Sequence, residues 1–358
     1  MNGDVLVAVV KRGVVVLCLL MGAMTGTAHA GQLRAGAASV DATWHVGASS
    51  GQYASTRIDN PEDEPEFDPS VQSFKNKPSY GVQSRLQVRA FAVQEEGGET
   101  FAVAKTDLYI PQDLLWRRAA QILEAETDGL IGRENLTMAI THDHSSPYYA
   151  STAAGAWAFQ DVYDIRFFDY YARRIADAVE LAVQRMKPAR MGASVTTLDE
   201  IQQNVPGPGT ADNGTPSGYP KAYGDHDVSV VRFDTTNGTP IGQIVTYSLH
   251  GEMLEGNDLI SADWVGPFQR MLDRETGGTT VYMQSADGNS ETEENTYHDV
   301  HRRLWFEHKQ YGQSEYAARL LADAAAATWR RIGKGTPDPS PRNAPHFVSM
   351  RGDVDVDG

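Results

Sequence analysis

Short apolar strands alternate with amphipathic helices along most of this chain, and this alternation restricts the fold more than any other feature. The stretch 164–186 is the clearest helix, because Phe168, Tyr171, Ile175 and Val179 recur at three- and four-residue steps. Strands are predicted over 84–93, 100–106, 136–141, 190–197, 227–234, 241–249 and 279–284, and further helices over about 111–127, 262–275 and 312–332. This interleaving is typical of the α/β class, so we expect a mixed β-sheet, or more than one, flanked by helices. Both halves of the chain have paired strands, a helix or loop, a strand and a histidine, an order that suggests a duplicated unit.

Residues 1–30 differ from the rest and have the features of a secretory signal peptide. Basic residues precede an apolar run at 13–21, and small residues follow up to Ala30. The run is shorter than the about 20 residues that a membrane-spanning helix needs. We expect cleavage after Ala30, a secreted or periplasmic location, a folded domain over 31–332, and a linker with a C-terminal tail over 333–358. The single cysteine, Cys18, lies in the signal, so the mature chain would have no thiol nucleophile or thiolate ligand.

The charge balance excludes one class of partner. The chain has 31 Lys and Arg against 47 Asp and Glu, a formal net charge of −16. Nucleic acids are bound by clustered basic side chains that neutralise phosphates. Because the sequence has no basic stripe, we expect no nucleic-acid partner.

Histidines follow two of the predicted strands where those strands end, and catalytic groups of α/β folds collect at such places. His142 and His144 come directly after the strand 136–141, and in extended backbone their side chains would point to the same side. His250 ends the strand 241–249. A third strand end, at 285–291, has the polar sequence SADGNSE. The pattern indicates a metal or catalytic site, although a lone His-x-His pair is also common in exposed loops.

Seven segments of the chain resemble a known family, and they occur in the order that the family has. They are RAGAASVDATWHVG, AVAKTDLY, GRENLTMAITHDHSSP, DHDVSVVRFD, IVTYSLHGEML, LISADWVGPF and YMQSADGNS. The family is that of the neutral/alkaline (non-lysosomal) ceramidases, and the chain resembles its N-terminal catalytic domain from about Leu33 to Ile332. The domain at 31–332 would then be the catalytic domain, with the α/β fold of that family.

The resemblance also implies a role for each matching residue. His142 and His250 match the two zinc-ligand histidines of the family. His144 matches a neighbouring histidine that contacts the reacting amide, and Asp263 matches an aspartate with a supporting role. Ser290 is the serine nearest to one that lies against the zinc in the family. The implied cofactor is therefore Zn²⁺, which would activate water or polarise the amide carbonyl.

The chain departs from the family pattern at several positions. The family's first motif is T-H-T-H-S-G-P, and Asp143 and Ser146 replace its second threonine and its glycine. The third motif, close to G-D/N-x-S-P, has no proline here: Ser290 is one residue out of register and Glu291 occupies the strict position. A substrate-binding arginine of the family is missing from 198–206.

The family's remaining zinc ligands, a glutamate and a tyrosine, come from segments that would lie beyond Gly358. Asp263, Glu252 and Asp287 are therefore candidates to complete the site. The alternatives are that the chain is truncated or that the site is defective.

Three functions follow from these observations. The first is an exported zinc-dependent amidohydrolase that cleaves the amide bond of ceramide or a related N-acyl lipid, in peripheral contact with membrane lipid. The second is a ceramidase-like module that binds lipid or glycan without catalysis. The third is a zinc hydrolase with a substrate other than ceramide, since specificity depends on the site and not on the fold. The sequence does not indicate an oligomeric state.

Overall fold

Four α-helices and fourteen strands are present among the residues that the computed structural model describes. Those residues are 32–48, 79, 81–95, 97–110, 112–147, 165–204, 225–254, 259–287, 290–292, 297–299, 304–306, 311–333 and 335. The helices are α1 (Asp113–Glu126), α2 (Ile165–Gln184), α3 (Val265–Thr276) and α4 (Tyr311–Ile332). The strands are β1 (Leu33–Asp41), β2 (Gly81–Val82), β3 (Gln87–Glu95), β4 (Thr100–Thr106), β5 (Leu136–Ile140), β6 (Lys187–Thr197), β7 (Gln202–Asn204), β8 (Asp227–Thr235), β9 (Pro240–Tyr247), β10 (Leu259–Ile260), β11 (Thr279–Gln284), β12 (Ser290–Thr292), β13 (Tyr297–Asp299) and β14 (Leu304–Phe306). The predicted signal peptide and most of the predicted tail lie outside the described residues.

Eight of these strands form one mixed sheet in the order β11-β9-β8-β6-β1-β3-β4-β5. The two outer pairs, β11 with β9 and β4 with β5, are parallel, and the pairs between them are antiparallel. At the centre, β1 and β6 share only two register pairs, Arg34 with Pro188 and Ala35 with Lys187. Strand β11 nevertheless contacts β3, β4 and β5. The sheet therefore bends at the β1–β6 joint into two four-stranded halves that face each other.

Three apolar cores arrange these elements in four layers. One core lies between α1 and α2 and the first half-sheet, and a second lies between α3 and α4 and the other half-sheet. The third core lies between the two half-sheets and includes Leu33, Phe91, Phe233 and Val281. Alternate residues of β3 enter different cores, as the two-residue period of a strand requires. The α/β class with a mixed sheet flanked by helices, as predicted, is confirmed.

The two half-sheets repeat one arrangement. The first half runs β1-β3-β4-α1-β5-α2 and the second runs β6-β8-β9-α3-β11-α4, leaving aside the short strands. Counted outward from the joint, the strand orders β1-β3-β4-β5 and β6-β8-β9-β11 correspond one to one. The topology therefore agrees with the duplicated unit that the sequence suggests.

Two local features determine how helices lie on the sheet. Gly36 allows α2 to approach β1 closely, because a Cβ at that position would be 2.1 Å from the carbonyl oxygen of Ala182. Helix α3 begins at Val265, three residues later than predicted. Asp263 has a left-handed φ of 44°, which redirects the chain just before the helix.

None of the described helices is long and apolar enough to cross a membrane.

Candidate metal centre

Three histidine side chains converge at the margin opposite the β1–β6 joint, where the loops after β5 and β9 meet. The Nε2 atom of His144 is 3.3 Å from Nε2 of His142 and 2.8 Å from Nε2 of His250. One ring nitrogen from each histidine lies within 4.8 Å of the other two. His144 and His250 are buried and His142 is half-buried. Neutral imidazole is a common ligand of zinc and of other first-row transition metals, so this group can hold a metal ion.

The loop after β5 brings His142 and His144 together by a turn. The expectation of extended backbone at these residues is wrong, because His142 has a left-handed φ of 52°. The next residue, Asp143, forms a parallel bridge with Gly251 of the other half-sheet. The backbone N–H of His144 donates to the carbonyl oxygen of Gly251 at 2.8 Å. The loop is therefore held by the other half of the molecule, which places His144 beside His250.

Backbone carbonyls fix the proton positions of two of the histidines. Nδ1 of His142 is 2.8 Å from the carbonyl oxygen of Tyr109, and Nδ1 of His250 is 3.3 Å from that of Asp287. A carbonyl oxygen can only accept, so each Nδ1 must donate its hydrogen and each Nε2 keeps a lone pair for a metal. Tyr109 follows β4, the parallel neighbour of β5, and Asp287 follows β11, the parallel neighbour of β9. In each half, one strand of the parallel pair supplies a histidine and the other supplies its carbonyl.

The ring of Tyr109 covers two of the histidines. It stacks on His142 with a centroid separation of 4.6 Å and an interplanar angle of 28°. It meets His144 edge-on, at 4.5 Å and 80°. Tyr109 is not among the site residues that the sequence predicts. Its position directly after a predicted strand, within the segment AVAKTDLY, is the signal that would have found it.

The surroundings of His142 favour its neutral form. Burial lowers the pKa of His142, and the neighbouring His250 lowers it further. The carboxylates of Asp287 and Glu252 act in the opposite direction on the same pKa. Since a metal binds the neutral imidazole, the lowered pKa keeps His142 ready for ligation.

Asp263 lies outside the group of ring nitrogens and holds the loop that carries His250. Its Oδ2 accepts the backbone N–H of Leu254 at 2.8 Å, and its Oδ1 accepts that of Trp264 at 2.6 Å. The indole Nε1–H of Trp264 donates to the carbonyl oxygen of His250 at 2.9 Å. Burial raises the pKa of Asp263 to about 7, and these backbone N–H groups oppose the shift. The N–H of Asp263 itself donates to the hydroxyl oxygen of Ser261 at 2.9 Å.

Ser290 also supports His250 through the backbone. Its carbonyl oxygen accepts the N–H of His250 at 2.8 Å, and its hydroxyl is 3.0 Å from the hydroxyl of Ser248. Asp287 and Glu252, the other candidate ligands, are half-buried and do not belong to the described three-histidine group. Glu291 lies in β12, whose register pairs it with Gln203 of β7.

Buried charges also lie in β4 and in the loops that follow β4 and β5. Lys105 and Asp107 form an ion pair and are 0% and 1% exposed. The pKa of Lys105 is lowered by burial, against the attraction of Asp107 and Asp143. Burial raises the pKa of Asp143 well above its usual range, and the carboxylates of Asp263 and Asp107 raise it further. These residues are missing from the predicted site, because their burial depends on contacts between separate segments that a single sequence does not show.

In comparisons with known proteins, the chain matches a family model and several curated relatives. The family model described as neutral/alkaline non-lysosomal ceramidase, N-terminal, matches residues 73–291. Neutral ceramidase of Pseudomonas aeruginosa is 26% identical over 219 residues, which cover 58% of this chain and 32% of that protein. Neutral ceramidase of Drosophila melanogaster is 24% identical over 213 residues, covering 54% and 28%. The chain therefore spans about a third of the length of these curated relatives.

Two solved structures have the same fold. A structure titled "Ceramidase complexed with C2" has a TM-score of 0.67 at 20% identity, covering 85% of this chain and 44% of the other. The crystal structure of neutral ceramidase from Pseudomonas aeruginosa has a TM-score of 0.64 at 20% identity, covering 84% and 44%. At this level of identity the two structures establish the shared fold.

Proposed function

The chain belongs to the neutral/alkaline non-lysosomal ceramidase family, and on that premise we propose that it is an exported, zinc-dependent amidohydrolase. Its substrate would be ceramide or a related N-acyl lipid, cleaved at the amide bond. The convergence of three Nε2 atoms, two of them on imidazoles whose other nitrogen is hydrogen-bonded to a carbonyl, supports the proposal most strongly.

His142 and His250 are the zinc ligands in this proposal, as the sequence predicts. We add His144 as the third ligand, because its Nε2 lies 3.3 Å from Nε2 of His142 and 2.8 Å from Nε2 of His250. Three histidines with an open fourth position are a known catalytic zinc arrangement. A zinc ion bound there supplies a Lewis acid for the amide carbonyl and makes water more acidic.

The protein's own contribution is to hold these groups in place. The carbonyl of Tyr109 keeps the proton of His142 on Nδ1, and that of Asp287 does the same for His250. The ring of Tyr109 closes one side of the histidine group, where it shields His142 and His144 from water. The competing assignment follows the family resemblance, in which His144 contacts the reacting amide, either as an acid/base group or by holding the carbonyl.

The partner and the location are parts of the same proposal. The substrate would be a lipid with an N-acyl group, and the enzyme would contact membrane lipid peripherally to reach it. Export is supported by the signal-peptide pattern of residues 1–30.

The test is zinc content and amide hydrolysis in one preparation of the chain, purified without chelators. We expect about one zinc per chain and release of fatty acid from ceramide. The variant H142A should lose zinc and hydrolysis. The matched control H45A should retain zinc and hydrolysis, because His45 is an exposed histidine that bonds to the carbonyl of its neighbour, Val46.

The variant H144A separates the two roles of His144. Loss of zinc would support ligation, whereas full zinc content with loss of hydrolysis would support the acid/base role. Hydrolysis at the parent rate by H142A would refute the proposal. Lipid binding without turnover would favour a non-catalytic module, and turnover of other amides or esters in place of ceramide would favour a different substrate.

A further inference from the structure

The peptide unit between Leu249 and His250 lies just beyond the end of the parallel ladder of β9 and β11. The last bond of that ladder runs from the N–H of Ser285 to the carbonyl oxygen of Tyr247, at 3.1 Å. Two residues further along, the carbonyl oxygen of Leu249 accepts from a side chain instead, the Nε2 of Gln284 at 2.8 Å. The side chain at the end of β11 therefore continues the pairing where the backbone ladder has ended.

The amide of Gln284 can face only one way. The carbonyl oxygen of Leu249 can only accept, so Nε2 must face it and Oε1 must face the other partner. That partner is the hydroxyl of Tyr282, which donates to Oε1 at 2.7 Å. The same hydroxyl lies 2.7 Å from the carbonyl oxygen of Tyr247, and Tyr282 is fully buried in the core beneath α3. The amide therefore links a core side chain to the peptide unit that precedes His250.

Each polar backbone group next to the Cα of His250 is held by a different element. The N–H of His250 donates to the carbonyl oxygen of Ser290 in β12, at 2.8 Å. The carbonyl oxygen of His250 accepts from Nε1 of Trp264, at 2.9 Å. The carbonyl of the preceding residue, Leu249, is the one that Gln284 holds. Gln284 is half-buried, so it can be replaced without removing a ring from the core or changing the backbone.

We infer that Gln284 is a positioning residue for His250, which fixes the direction in which the imidazole Nε2 faces the other two histidines. The inference rests on the proposed function, because it requires a metal ion at the three histidines. Gln284 acts on the ligand through the peptide unit that it bonds and does not itself contact the ion. Groups that orient metal ligands typically change affinity by about 10- to 100-fold. Because Gln284 acts through the backbone, we expect an effect of about 10-fold, at the lower end of that range.

The experiment measures zinc affinity and ligand geometry in the full chain carrying Q284M. Methionine has nearly the length of glutamine and forms neither hydrogen bond. In competition with a chromophoric chelator, its zinc affinity should fall about 10-fold. In protein loaded with Co²⁺ in place of zinc, the visible absorption bands should change in position or intensity, because they depend on the geometry of the ligands. The Tm of the metal-free protein should also fall, since the carbonyl of Leu249 loses its donor.

The matched control is Q243M, which separates positioning from stability. Gln243 is fully buried in β9, the strand that leads to His250. Its Nε2 donates to the hydroxyls of Thr276 at 3.0 Å and Thr280 at 2.5 Å, and these contacts do not involve the peptide units beside His250. This variant should lower the metal-free Tm at least as much as Q284M does. It should leave zinc affinity and the Co²⁺ spectrum as they are in the parent.

A second variant, Y282F, keeps Gln284 and removes the hydroxyl that holds its Oε1. Its zinc affinity should fall by less than that of Q284M, because the bond to the carbonyl of Leu249 remains. The double variant Y282F/Q284M should bind zinc nearly as Q284M does, since the hydroxyl acts on His250 through the amide. Should Q284M fail to fold, Y282F alone carries the test, and parent-level zinc affinity in it would overturn the inference.

The outcomes separate this inference from the proposed function. Parent-level zinc affinity with a parent-like Co²⁺ spectrum in Q284M would overturn the role of Gln284 and leave the proposed function standing. Equal losses of zinc affinity in Q284M and Q243M would show that stability alone is responsible, and would overturn the inference as well. Absence of zinc and Co²⁺ binding by the parent would overturn both.

Discussion

Replacing Trp264 with phenylalanine tests how the core of the second half-sheet holds His250. Trp264 is fully buried, and its ring packs edge-on against Tyr282 with centroids 5.1 Å apart. Its Nε1–H is the donor to the carbonyl oxygen of His250, at 2.9 Å. Phenylalanine retains most of the ring contact but cannot donate this hydrogen bond. The variant therefore removes one link between the apolar core and the metal centre.

The expected loss has two parts. A buried carbonyl left without its donor costs about 1–3 kcal/mol. The smaller ring leaves a void that costs about a further 1–2 kcal/mol. We therefore expect W264F to lower the free energy of unfolding by about 2–5 kcal/mol. Zinc affinity should fall about 10-fold or more, because the backbone that carries the ligand His250 loses the hydrogen bond from Trp264.

Urea denaturation followed by circular dichroism measures the first effect, and chelator competition measures the second. The matched control is W329F: Trp329 is half-buried, and its Nε1 has no hydrogen-bond partner among the described residues. It should lose less stability and no zinc affinity. Equal losses of stability in the two variants, with zinc affinity unchanged in W264F, would refute the reasoning.

Three further predictions concern the same centre. Substituting Tyr109 by alanine should lower zinc affinity about 10-fold, because the ring stacked on His142 is lost. The variant Y109F should bind zinc nearly as the parent does, because the stacked ring and the backbone carbonyl remain. Equal affinities of the two variants in chelator competition would contradict this. In metal-free protein, the pKa of Asp263 is about 7 when folded and near its usual 3.8 when unfolded, so ionisation disfavours the folded state. Its contribution to stability is then full below about pH 4 and is lost as the pH rises to about 7. The variant D263N should show a shallower decline over that range in urea denaturation, and parallel profiles would count against the assignment. Zinc at 100 times its Kd should stabilise the parent by about 2.7 kcal/mol and H142A by almost nothing. A Tm shift of equal size in the two proteins would mean that zinc binds at a site other than the three histidines.

The strand ends of the sequence indicated three histidines that the structure brings together, although the backbone conformation expected there is wrong. His142, His144 and His250 each follow an apolar strand, and such positions collect functional groups in α/β folds. The prediction of extended backbone at His142 failed because its conformation depends on the bridge between Asp143 and Gly251, more than a hundred residues apart. Contacts of this range leave no periodic signal in a single sequence.

The supporting residues show the same limit. Strand periodicity indicates that Lys105 and Trp264 lie in or near ordered elements, but not which side chains meet across the two half-sheets. The fold class followed from local patterning alone, since short apolar strands alternate with amphipathic helices along the chain. The strand order, with β1 beside β6, required the structure.

The joint between β1 and β6 is a narrow connection between the two half-sheets, so their relative orientation also depends on contacts at the opposite margin. Only two residue pairs connect the half-sheets there, while the opposite margin is fastened by the Asp143–Gly251 bridge and the adjacent hydrogen bonds. A metal ion bound by His142 from the first half-sheet and by His250 from the second would link the two halves at this margin. When the metal binds, amide hydrogen exchange should then slow in the loops after β5 and after β9 together, although these loops belong to separate halves of the chain.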